Sequence, residues 1–84
     1  MTWDEQIDHM KTREDFVTFV EALRKDLVQN PEAWHNIDLS SFLEALAAWV
    51  ADMDGYYLNQ KKPMPENVTW NIFASVLKAA SVYS

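Results

Sequence analysis

Asp52, Asp54 and Gly55, within the segment DMDGYY, are the residues whose types and spacing most resemble a site, because carboxylates set around a glycine are how a calcium loop begins. With Gly55 at the sixth position of such a loop, Asp54 and Asp52 fall on the fifth and third, both ligand positions. Val50 then replaces the first ligand, and Lys61 replaces the bidentate glutamate that should close the loop. Two lost ligands and a cation beside the metal argue against calcium, and the segment reads as the end of a helix. Residues two apart on a helix point about 200° apart, so Asp52 and Asp54 there share neither a proton nor a metal. A buried Asp52 would need a donor, and Tyr56, Lys61, Lys62 or a tryptophan indole could supply it.

The other reactive side chains make no recognisable constellation. His9 and His35 lie in different segments and in no zinc-binding spacing, so they read as surface or capping histidines. Ser40 and Ser41 lack the glycine turn of a nucleophile elbow and read as helix caps. Gly55 is the only glycine, so no glycine-rich loop can cradle a phosphate, and the chain has no cysteine for a thiolate or a disulfide. The residues therefore predict neither enzymatic chemistry nor a cofactor.

The elements that would carry these residues are helical. Thr2 with Glu5, and Thr12 with Asp15, are capping-box spacings that start helices. The first predicts a short helix over Trp3 to Met10, within an N-terminal extension of residues 1–11. The second predicts a longer helix to about Gln29, in which Phe16, Phe19, Val20, Leu23 and Leu27 share a face. Asn30 and Pro31 are placed to cap and begin one further turn, with Trp34 folding over the core. Asp38, Ser40 or Ser41 can cap a helix from Leu39 to Asn59. Its wide apolar surface marks it as the central helix, and its strip Ala45, Ala48, Asp52 and Gly55 invites another backbone close to Gly55, near Trp70. Pro63 and Pro65 define a linker, and Thr69 caps a last helix with Trp70, Phe73, Val76, Leu77 and Ala80 on one face. No strand alternation or hairpin signal occurs. The expected fold is all-α, a small bundle of three main helices with short N-terminal and connecting turns, forming one domain over residues 1–84.

Composition restricts the partners. Formal charge is −6, and acid dominates everything before Lys61. Such a surface repels phosphate backbones and anionic lipids, which excludes nucleic acid and membrane and suits a basic protein. No apolar run approaches the roughly 18 residues of a membrane span, and the acidic N-terminus is unlike a signal peptide, so a cytoplasmic location is expected.

The stretches REDFVTFVEALRKDL, FLEALAAWVADMDGYYLN and the pattern W-x-x-F-A-x-x-L-x-A-A-x-x-Y, from Trp70 to Tyr83, resemble a family of short bacterial proteins of unknown function. The resemblance covers Arg13 to Tyr83 and is most specific at DMDGYY. It brings no activity, cofactor or catalytic residue. It implies a bacterial cytoplasmic protein and groups Trp49, Asp52, Asp54, Gly55, Tyr56 and Tyr57 together.

Three functional readings follow. The first is a non-catalytic interaction module, an adaptor or immunity-like inhibitor that covers a basic partner. The second is a small-ligand binder or minor enzyme with Trp49, Tyr56, Tyr57 and Trp70 around Asp52 or Asp54. The third is a homodimer completed through the apolar face of the central helix.

Overall fold

Each helix begins where a side chain satisfies the free amides of its first turn. In the computed structural model, which describes residues 2–83, α1 spans Trp3–His9, α2 Arg13–Gln29, α3 Leu39–Asn59 and α4 Trp70–Val82, with a 3-10 turn at Pro31–Ala33. Thr2 and Thr12 head complete capping boxes: their hydroxyls accept from the amides of Glu5 and Asp15 at 3.1 and 3.0 Å, while those carboxylates accept from the cap amides in return. Asp38 caps α3 by accepting from the Ser41 amide at 2.8 Å, and Thr69 caps α4 by accepting from Ile72. The all-α expectation holds among the described residues: α2, α3 and α4 are the three main helices, α1 the short N-terminal one and the 3-10 turn the connection. No described helix is long and apolar enough to cross a membrane.

Asn30 departs from expectation. It gives the 3-10 turn no side-chain cap and instead donates to Asp26 Oδ1 at 3.1 Å. Asp26 Oδ2 accepts from the Trp34 indole at 2.9 Å, which turns that ring back onto the core.

The larger correction concerns the middle of the molecule. The central helix is α4, which packs on α1, α2 and α3, whereas α2 and α3 hardly touch one another. On one side of α4 lies a core of Ile7, Met10, Phe19, Leu23 and Ala74; on the other lies one of Trp49, Met53 and Val76. The small residues that let neighbours approach are on α4: Ala74, Ala80 and Ser81 are essentially inaccessible. A wide apolar surface made α3 look central, but Leu39, Leu43 and Val50 on it remain exposed.

Gly55 is likewise not a point of close approach. It is exposed, and a β-carbon added there would have no neighbour within 4 Å. With nothing to overpack, only helix propensity is at stake, and Gly55→Ala is expected to stabilise the protein by up to about 1 kcal/mol in urea denaturation. A destabilised alanine variant would contradict this open environment. The glycine-like conformation occurs at Lys61 instead, whose φ of 57° places it in the left-handed region. There the amides of Lys61 and Lys62 donate to the carbonyls of Leu58 and Tyr57 at 3.1 and 2.9 Å, the paired bonds that close a helix end and turn the chain into the linker.

Two asparagines tie helix ends together. The Asn71 carboxamide donates to the carbonyls of Ile7 and Met10, both at 2.7 Å, satisfying the last turn of α1 from the side of α4. Asn36 does the same for the end of α4, donating to Ala80 O at 2.9 Å and Tyr83 O at 2.7 Å, while the amides of His35 and Asn36 both reach Ser81 O.

Candidate functional site

Helical spacing divides the DMDGYY residues between two edges of α3. Trp49, Asp52 and Tyr56 are three and four residues apart and share the edge beside α1. The Tyr56 ring, 43% exposed, leans on the nearly buried Trp49 with centroids 5.6 Å apart. Together they border a shallow cleft of about 190 Å³ with Asp4, Lys78 and Val82. Tyr57 meets Tyr56 edge-on at 5.1 Å but belongs to the core between α3 and α4. Asp54 is on the opposite edge, its carboxylate accepting from the Gly55 amide at 2.9 Å. Trp70 lies apart from this group, its ring packed on Phe16 of α2 at 5.1 Å. The structure thus brings Trp49, Tyr56 and Tyr57 together, sets Asp52 on the same helix edge but bonded to Tyr83, and leaves Asp54 and Trp70 facing other surroundings.

Asp52 is exposed, and its donor is none of those expected from the sequence. The Tyr83 hydroxyl donates to Asp52 Oδ2 at 2.6 Å. That bond pushes the Tyr83 phenol above its usual range, since ionisation would remove the donor and set a phenolate against a carboxylate. Burial, helped by the neighbouring Tyr56, pushes Tyr57 up as well. A raised phenol favours folding in full below its unfolded value of about 10, and the contribution is lost as pH rises through the folded value. Tyr83→Phe is therefore expected to flatten the fall in stability above about pH 10, measured by thermal melts. An unchanged alkaline slope would show that this bond does not persist in solution.

Residues 50–59 are continuous helix, so Val50, Asp52 and Asp54 do not converge as loop ligands would. Among the described residues no group of three or more histidines and carboxylates is placed to hold a metal. His9 Nδ1 lies 2.8 Å from the carbonyl of Glu5 in its own helix, a local bond that fits a protonated Nδ1. The Lys78 ammonium sits 6.0 Å from the Trp3 ring centre, which places the only cation of α4 over α1.

Sequence reasoning missed Tyr83, Asn36 and Asn71. Each acts on residues 31 or more positions away, and no local pattern announces that. The one available signal was a carboxamide, Asn71, on the polar side of an otherwise apolar helix.

No curated protein and no solved structure matches this chain. Residues 12–84, from the cap of α2 to the end of the sequence, match the model of DUF7660, a family of unknown function, and the chain belongs to that family.

Proposed function

We propose that this protein is a non-catalytic interaction module, an adaptor or an immunity-like inhibitor whose acidic surface engages a basic protein. The observation that carries the reading is the half-exposed Tyr56 ring, held by Trp49 over a cleft that Asp4 and Lys78 also line, on a chain of formal charge −6. A rigid aromatic with one polar end is the kind of anchor that protein interfaces favour, and the acidic charge of the chain as a whole favours a cationic partner. The resemblance to short bacterial proteins supports a bacterial cytoplasmic setting. The alternative, a ligand binder or minor enzyme built on Asp52 or Asp54, has less support: the cleft beside Tyr56 falls below the roughly 300 Å³ at which small-molecule pockets begin, Asp52 is engaged by Tyr83, and Trp70 is elsewhere.

The test is affinity capture from cells that carry the gene, with wild-type and Tyr56→Ala baits at matched folding. Loss of an aromatic anchor should weaken capture of the true partner about tenfold or more. Equal capture by both baits would move the interaction off this ledge. Turnover of a small molecule by the purified protein, abolished by Asp52→Asn, would replace the reading with an enzymatic one.

A further inference from the structure

On the face opposite the Tyr56 ledge, α2 and α3 stand on either side of α4 without closing over it. Leu77 of α4 lines the groove's deeper end, a cleft of about 400 Å³ reaching Arg24, Leu27 and Phe42, while Phe73, one turn earlier on α4, packs on Phe16 of α2. Along α3 the residues Leu39, Leu43, Leu46, Val50, Met53 and Tyr57 are spaced 4-3-4-3-4, the seam of a helix that packs on other helices. Met53 and Tyr57 spend that seam on α4. Leu39 and Leu43 remain 72% and 53% exposed, and Val50, Val17 and Phe73 are exposed beside them. Contiguous apolar surface of this kind marks an association site.

Charge identifies the occupant. Arg13, Val17, Val20 and Arg24 fall at i, i+4, i+7 and i+11, so two arginines line the groove edge of α2. Glu14 and Asp15 lie on its other faces, and Glu21, four residues after Val17 and three before Arg24, borders this edge on its outer side. The α3 helix contains no lysine or arginine, and its groove edge ends in Asp54, with the capping Asp38 at the other end. Phe16 meets Trp70 and Phe73 at the start of α4, while Val20 and Leu23 share the cleft with Leu77, so α2 runs parallel to α4. Tyr57 and Ile72 pack in the same core, and Asn36 grips the far end of α4, so α3 runs antiparallel to both. Arg13 therefore stands at the Asp54 end of the groove and Arg24 at the Asp38 end. Among the described residues no ion pair crosses the groove within one copy.

We propose that the groove is closed by a second copy of this chain, related by a two-fold axis running along it. That axis lays each α2 against the other copy's α3, so that Arg13 opposes Asp54 and Arg24 opposes Asp38, each pair occurring twice, around a shared apolar strip. An axis across the groove would instead set arginines against arginines and carboxylates against carboxylates. A foreign basic helix would satisfy the α3 edge and be repelled by the α2 edge. A second copy meets both. This proposal uses the face left free by the Tyr56 ledge and stands independently of it.

The test is sedimentation velocity on the purified chain from micromolar to millimolar concentration. Wild type should pass from monomer to dimer. Leu43→Lys should remain monomeric with unchanged helical circular dichroism, because Leu43 is mostly exposed within one copy. Arg13→Asp and Asp54→Arg should each weaken the dimer about tenfold or more. Mixing those two variants, or combining them in one chain, should restore it, since every opposed pair is then again of opposite sign. A wild type that stays monomeric at millimolar concentration overturns the proposal. So does a dimer that survives Leu43→Lys, or one whose charge-reversed variants fail to rescue each other.

Discussion

Phe19→Ala is expected to lower the free energy of unfolding by about 3–5 kcal/mol, the largest effect of any single substitution considered for this chain. Phe19 is 1% exposed and sits where α1, α2 and α4 meet, among Ile7, Met10, Leu23 and Ala74. Its ring receives the edge of Trp3 at 5.6 Å and an interplanar angle of 82°. Alanine forfeits the transfer free energy of the ring and leaves a void that three tethered helices cannot collapse to fill. Urea denaturation followed by circular dichroism measures the loss, with Val28→Ala as a control that should stay within about 0.5 kcal/mol because Val28 is exposed. A loss below about 1 kcal/mol for Phe19→Ala would mean that α1 does not hold its place over the core.

Asn71→Ala is the second large effect, expected at about 1–3 kcal/mol. Its carboxamide has two hydrogens and uses them on two carbonyls at the end of α1, those of Ile7 in its last turn and of the capping Met10. Alanine removes the side-chain donor from both carbonyls and leaves that of Ile7 with only the Met10 amide, 3.2 Å away. The damage should be regional: amide hydrogen exchange should accelerate across residues 3–10 and the fluorescence of Trp3 should change, while α3 exchanges as before. Asn71→Asp is the sharper companion, because it keeps the shape and turns the donor into an acceptor aimed at acceptors. If aspartate is tolerated as well as asparagine, the two bonds carry no weight. The family match begins at Thr12, so this residue of the matched region fastens a helix that lies outside it.

What could be read from the sequence was what neighbours along the chain decide. Thr2 with Glu5, Thr12 with Asp15, and Thr69 each cap the helix they were expected to cap, because a hydroxyl and the amides it accepts from are three residues apart. The limits of α3, Leu39 and Asn59, agree for the same reason. Where two distant surfaces had to be matched, the reading failed. The apolar width of α3 cannot distinguish a helix packed on two sides from one packed on a single side with its remaining face uncovered. Gly55 in a helix is compatible with close approach or with open solvent, and only the neighbours decide between them. Asp52 required a donor under the burial argument; it turned out to be exposed, yet acquired one from Tyr83 at the other end of the fold. Of the candidate site, Trp49, Asp52 and Tyr56 were legible as a group because one helix edge carries all three. Trp70 was grouped with them by residue type alone, and its helix turns it toward Phe16.

Among the described residues the one ion pair joins Arg13 to its chain neighbour Glu14 at 3.5 Å, with both side chains three-quarters exposed. The fold therefore draws almost nothing from attraction between opposite charges. Carboxylates spread over α1, α3 and the turns face outward and act on whatever approaches. Ionic strength should then separate two properties that usually move together. Added salt should slow the capture of a cationic partner steeply, because the field that draws it in decays over about 10 Å at 0.1 M. The melting temperature should barely respond, and the slope of log association rate against log salt becomes a direct reading of how many of those charges the encounter uses.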